Sequence, residues 1–370
     1  SKEILFFEFQ ELSGVWIMAY TSVDDPTILF NTILYTGNDA SNRGITGVNF
    51  APNWVWIKKR NHAAGGVISD TVRGAGKVLY SSETNAEGSE SASFVSFDSD
   101  GYTISQDAGV GLNVNSHTYV GWNWKAGTSF TNDASSTGIG TIDSTGSASD
   151  TAGFSIVSFT GTGSAGTIKH ELSTAPKLVI IKNRQTAGKD WRVGSTMVGF
   201  DKYLSLNQSN ASASSSSQFN DTAPTSSVFS VGTNGATNES TKNMIAYVFS
   251  ERKGYSKIGS YLGSGSTSVG GFIHTGFKPA MVILKRTDSA ASWLMFDNKR
   301  DIDNVVTHRV YANGTDAEDS DTGSAIDFLS NGFKNRSTDS STNATNGTYI
   351  YLAFAESPFT NSSGVPNNAR

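Results

Sequence analysis

Short runs of alternating apolar and polar residues, broken by Gly, Asn, Asp or Pro, dominate this chain and predict β-strands throughout. One strand pattern occurs three times: APNWVWIKKR (Ala51–Arg60), APKLVIIKNR (Ala175–Arg184) and KPAMVILKR (Lys278–Arg286). Each sets a proline ahead of β-branched and aromatic residues and closes on basic ones. An aromatic-x-Gly turn precedes each copy (Tyr35-Thr36-Gly37, Phe159-Thr160-Gly161, Tyr261-Leu262-Gly263). A further strand follows each: TYVGWNWKA from Thr118, NMIAYVFSE from Asn243 and TYIYLAFAE from Thr348. In these closing strands Val120, Trp122 and Trp124 form one face, matched by Ile245, Tyr247, Phe249 and by Ile350, Leu352, Phe354. The opposite faces are nearly as apolar, which predicts central strands buried on both sides. Helical periodicity is absent apart from one turn near Asp70–Tyr80. The expected class is all-β, with three tandem antiparallel β-sandwich-like repeat units.

The repeats divide the chain. Residues 27–126, 153–253 and 254–357 are the three β units, each of a size that supports its own core. Residues 127–152, rich in Gly, Ser, Thr and Asp, read as a mobile or extended linker. Asn207–Gln218 reads as a long surface loop, and residues 358–370 as a C-terminal tail. Residues 1–26 match nothing in the repeats. They carry Phe6, Phe7, Phe9 and Trp16, which suit an attachment segment that buries its aromatics in a partner, or one more strand pair on unit one.

Composition narrows the function classes. Charged residues are 16% and aromatics 11% of the 370, with 38 glycines, a profile of turn-rich β structure rather than disorder. The net charge of −5 gives no basic footprint for nucleic acid. With no cysteine there is no disulfide scaffold, thiolate nucleophile or cysteine zinc site. No apolar run is long enough to insert in a membrane.

Unit one carries a resemblance. The stretches ITGVNFAPNWVWIKKR, DTVRGAGKVLYSSETNAE, FVSFDSDGYTI and TYVGWNWKAG resemble a repeat domain of unknown function found in virion proteins, including tail-fibre-like ones, of marine tailed phages. Units two and three keep the proline-to-lysine strand and the closing strand but lose the RGAGKVLYS segment. The resemblance implies a structural protein on the outside of a virus particle and supplies no active site. It implies other virion proteins as partners, a homo-oligomer (a trimer, as fibres form), and host surface glycan as the ligand of a tail fibre. A capsid or tail decoration protein and a glycan-degrading tailspike are the alternatives.

Candidate chemistry is sparse. The five histidines have no zinc spacing. Asp98 and Asp100, and the run Asp316, Glu318, Asp319, Asp321, are the candidate calcium ligands; no other cofactor is expected. Glu251 and Glu356 recur at strand ends in different units, which suits surface charge better than a glycosidase pair. No GxSxG elbow occurs, so the expectation is a non-enzyme. Tryptophans that recur with the scaffold should be core. Function is expected in the loops where units differ, which gives Asn61, His62, Asp297, Lys299, Arg300, Arg309, Asp316 and Asp319 as candidate binding residues.

Overall fold

The predicted strands assemble into three large antiparallel sheets in a computed structural model that describes residues 21–106, 109–267 and 270–367. The attachment aromatics Phe6, Phe7, Phe9 and Trp16 lie outside the described residues. The first region holds β1 (Phe30–Thr36), β2 (Arg43–Ile45), β3 (Trp54–Lys59), β4 (Val67–Asp70), β5 (Lys77–Tyr80), β6 (Gly88–Ser89), β7 (Phe94–Asp98), β8 (Gly101–Ile104) and β9 (Thr118–Trp124). The second holds β10 (Thr128–Asn132), β11 (Ser144–Ser149), β12 (Phe154–Thr160), β13 (Gly166–Lys169), β14 (Leu178–Asn183), β15 (Arg192–Ser195), β16 (Lys202–Ser205), β17 (Ala213–Ser214), β18 (Val228–Val231) and β19 (Asn243–Phe249). The third holds β20 (Ser256–Leu262), β21 (Phe272–His274), β22 (Phe277–Arg286), β23 (Leu294–Asp297), β24 (His308–Tyr311), β25 (Asp319–Ser320), β26 (Ile326–Leu329), β27 (Gly332–Asn335) and β28 (Thr348–Pro358).

The first sheet runs β1-β9-β3-β4-β5-β6 and the third β20-β28-β22-β23-β24-β25. The second runs β10-β11-β12-β19-β14-β15-β16-β17, the same order with two strands added at one edge. Small sheets (β2-β8-β7, β13-β18 and β21-β27-β26) cover one face of each, and none of the sheets closes into a barrel. The predicted all-β class holds, and among the described residues no α-helix exceeds four residues. None is long and apolar enough to cross a membrane.

Period-two alternation explains why the closing strands are apolar on both faces. On β9, β19 and β28 one face looks at the small sheet: Tyr119; Met244, Ala246, Val248; Tyr351, Ala353, Ala355. The other face enters a single core shared by all three large sheets, with Trp122 and Trp124, Tyr247 and Phe249, Leu352 and Phe354. Rings from different sheets touch there: Trp54 with Tyr247 at 4.7 Å, Phe30 with Phe354 at 5.0 Å, Phe249 with Phe354 at 6.0 Å. All six tryptophans in the described residues are buried, as the recurrence predicted. An enclosed apolar void of about 20 Å³, lined from all three sheets by Trp54, Trp124, Leu178, Ile180, Ile283 and Leu352 among others, marks their meeting point. It offers a water no hydrogen-bond partner, which favours a dry void.

Three sequence expectations need correction. The segment read as a spacer is strand: β10 pairs with β11, and β11 pairs with β12. Its small residues serve close packing rather than slack. A Cβ on Gly146 would stand 2.1 Å from the Ile156 carbonyl and 2.6 Å from the Phe130 ring, which is its register partner across the ladder. The residues after Asp70 form turns and β5 rather than a helical turn. The Asn207–Gln218 loop contains β17 and starts a helical turn, Ser216–Phe219, that buries Gln218 and Phe219.

Candidate functional site at the seam of the third and first sheets

Each large sheet meets the next along a seam of the same design. At the first–second seam Glu87 and Gly188 amides donate to the Arg184 and Thr84 carbonyls. At the second–third seam Ser212 and Ala291 amides donate to Thr287 and Ser209, and at the third–first seam Glu318 and Ala64 amides donate to Arg60 and Thr315. The seams therefore follow one another in a closed cycle. A buried lysine stands at each, from the basic end of the repeated strand pattern. Lys58 Nζ donates to the carbonyls of Ala64 (2.5 Å) and Gly314 (2.6 Å), Lys182 to Lys189 (2.5 Å), and Lys285 to Ser209 (2.8 Å) and Ala291 (2.6 Å). Burial pushes all three ammonium groups down to about 8.

Indoles reinforce two of the seams. Trp191 Nε1 donates to the Tyr80 carbonyl and Trp293 Nε1 to the Ser205 carbonyl, both at 2.9 Å. At the third seam a glycine, Gly66, replaces them. Its missing side chain leaves room for Trp56, whose Nε1 would be 2.5 Å from a Cβ there.

Most of the candidate binding residues converge on the third–first seam, at two depths. Asp297 and Arg300 lie beneath it with fully buried side chains, so they are not surface ligands as expected. Asp297 ends β23, and the turn that follows returns Arg300 to it at 2.6 Å. Arg300 also bonds the Met295 carbonyl (2.8 Å) and Glu318 (3.2 Å), while Asp297 accepts from Trp122 Nε1 (3.1 Å). Burial opposes the Arg300 charge, but Asp297 and Glu318 hold it protonated above the usual arginine range. Arg60 closes the chain with two contacts of 2.9 and 2.7 Å to Glu318. Lys299 is the exposed member of this turn.

Above this floor a cleft of about 670 Å³ is lined by Arg309, Tyr311, Asp316, Glu318, Asp319 and Asp339. Arg309 bonds Asp319 (2.9 Å) and Asp321 (2.8 Å) and lies over the Tyr311 ring at 5.5 Å. Tyr311 donates to Asp319 (3.1 Å), and burial first of all pushes its hydroxyl up to about 12. Asp316 is exposed and is the carboxylate that acts most on Lys58. The loop bearing Asn61 and His62 joins the cleft wall through Ala64 and Thr315. The Asn61 side chain donates to Ser116 O (3.2 Å) and accepts from Thr118 N (2.9 Å). The His62 ring stacks on His117 at 4.9 Å. Burial, then Lys59 and His62, lowers the His117 pKa.

The other chemistry weighed from sequence has structural partners. Asp98 accepts from Ser96 and Thr103, both at 2.7 Å, and Asp100 from the amides of Gly47 (3.0 Å) and Asn49 (2.6 Å). Glu251 pairs with Lys177 at 2.6 Å and Glu356 with Lys278 at 3.1 Å. Among the described residues no group of three His, Asp or Glu is placed to hold a metal. His308 Nδ1 stands 2.6 Å from Asp301, which fixes the ring.

Sequence reading missed the seam lysines, although a lysine at one position in all three strand patterns was the available signal. It also missed the Asp70, Arg73, Glu87, Arg184 chain, which mirrors Asp297, Arg300, Glu318, Arg60 at the first–second seam. No curated protein matches this chain. One family model, described as a domain of unknown function (DUF7483), matches residues 25–358, a span that takes in all three large sheets. The chain belongs to the DUF7483 family.

Proposed function

We propose that the chain is three tandem copies of one β unit closed into a ring, and that it serves as a non-enzymatic virion appendage contacting host-surface glycan. What supports this reading is closure. The three units direct their inner faces into one apolar core and fill each seam with a buried lysine and a backbone ladder, which leaves the polar, non-repeating loops on the rim. Charged groups at the seams bond to each other rather than to an open reaction centre. A rigid body with variable rim loops is suited to binding. The virion setting comes from the phage-like wording of unit one. The contact surface is the third–first seam cleft, which Arg309 and Asp316 help to line.

One chain here does what three chains do in a trimeric fibre. The ring is therefore expected to be monomeric on its own, with a homotrimer depending on Phe6, Phe7, Phe9 and Trp16. Light scattering on the chain with and without residues 1–20 separates the two states. Function is tested by adsorbing labelled protein to a panel of marine bacteria. Loss of adsorption in Asp316→Lys and Arg309→Glu supports the appendage. Failure of the unaltered protein to adsorb to any cell overturns it in favour of a particle-decorating role.

A further inference from the structure

The strands that only unit two possesses build a second rim feature. β10 and β11 extend its sheet, and two depressions of about 280 and 500 Å³ open across the strand ends. Asp143 and Thr160 line both, so the two form one trough in the size range of small-ligand clefts. The wall is held rigidly. Asn132 is buried and bonds Ile139 O (2.9 Å) and Thr137 Oγ1 (2.7 Å), Asp143 accepts from Ala134 N (2.8 Å), and Thr141 Oγ1 accepts from Thr167 N (2.9 Å). Such pre-ordering lowers the entropic cost of binding.

We infer that this trough is a binding site for a neutral oligosaccharide. Thr131 and Thr145 present exposed hydroxyls that both donate and accept, as sugar hydroxyls do, while Thr160 donates to Asn243 Oδ1 at 3.3 Å, which leaves the Thr160 oxygen to accept and the Asn243 NH2 to donate. Asp133 and Asp143 add charged acceptors, and the Asp133 carboxyl is kept below its usual range first by the Ser135 hydroxyl and then by the Ser136 amide. No lysine, arginine or histidine stands among the described lining residues, so a uronate or sialate would meet two carboxylates with no counter-charge. The lining is too polar for an apolar ligand to recover the cost of drying it. Phe159, on the floor, is its one ring. This inference deepens the glycan reading above and rests on it for the choice of ligand, while placing a site on a different unit.

The full chain is to be titrated against immobilised panels of neutral and acidic oligosaccharides. Thr145→Arg fills the trough from an exposed strand position, and Asn243→Ala removes an exposed amide; unchanged melting temperatures confirm that both fold. Binding of a neutral glycan that Thr145→Arg weakens by at least about tenfold, and Asn243→Ala by roughly three- to tenfold, is the expected result. No neutral glycan bound by the unaltered protein overturns the inference, as does preference for acidic glycans. Binding that only Arg309→Ala weakens also overturns it, and would leave the seam-cleft reading standing.

Discussion

Two seams of the ring carry a buried ionic chain and the third carries none. At the first–second seam Arg184, Glu87, Arg73 and Asp70 are linked in series, ending on the Tyr247 hydroxyl at 2.7 Å from Asp70. At the third–first seam the series is Arg60, Glu318, Arg300, Asp297, ending on Trp122. Strand register identifies the corresponding places at the second–third seam: Thr287, Ser212, Val198, Ser195 and Leu352. All five positions differ together. A charge left without its partners in this interior would be costly, so the chain is kept whole or absent. The ring therefore does not need ions to close. Lysine, indole and backbone ladder recur at the neutral seam, and Ser212 Oγ donates to Thr287 O at 3.0 Å. The ionic chains flank the first sheet on both sides, and we read them as fixing which sheet stands beside which.

Breaking one link should have the largest effect. Arg73→Met strands Asp70 and should cost about 3–5 kcal/mol in urea unfolding, and Arg300→Met should match it. Ser195→Ala, at the neutral seam, removes a hydroxyl that accepts from Met197 N and should cost about 1 kcal/mol. Equal losses at all three would erase the distinction.

Acidity acts on what the seams share. Lys58, Lys182 and Lys285 lose protons near pH 8 when folded and near 10.5 when unfolded. Between those values the unfolded chain binds more protons, so stability rises with pH, by up to about 3 kcal/mol per lysine. Burial holds Tyr119 and Tyr311 protonated to about 12, so above pH 10 the unfolded chain sheds protons that the folded one keeps, and stability falls. Melting temperatures from pH 7 to 11 should therefore peak near pH 10, and Lys58→Met should flatten the rise. A steady decline from pH 7 would contradict this.

Packing at the third–first seam gives a smaller effect. Gly66→Ala forces a methyl against Trp56 and Ser81, with closest approaches of 2.5 and 2.6 Å, and should cost about 1–3 kcal/mol. Gly44→Ala, where the nearest atom is 4.0 Å away, serves as the control and should be near neutral on this measure. Exchange of a whole chain should cost no stability at all. Asp70→Ser, Arg73→Val, Glu87→Ser, Arg184→Thr and Tyr247→Leu together copy the neutral seam and should be neutral or stabilising by about 1–4 kcal/mol. A loss as large as that of Arg73→Met would show that the ions stabilise the seam rather than specify it.

Local pattern carried much of this fold and almost none of the seams. Alternation located β3, β14 and β22 and made β9, β19 and β28 central, because a strand's burial on two faces is written in its own residues. Asp297 and Arg300 looked like residues of a polar, variable binding loop because what buries them, Trp122 and Glu318, lies far from them in sequence. The Gly/Ser/Thr segment looked slack because glycine reads alike in a linker and under a Phe130 ring. Of the candidate site, the rim residues Arg309, Asp316 and Asp319 were legible as polar and irregular, whereas their convergence with the His62 loop was not.

The three large sheets share one core and close on one another. Hydrogen exchange in graded urea, followed separately on residues 118–124, 243–249 and 348–354, reads out that shared core. All three closing strands should lose protection at one urea concentration with one free energy. Three separate transitions, or one unit opening while the other two stay protected, would contradict it.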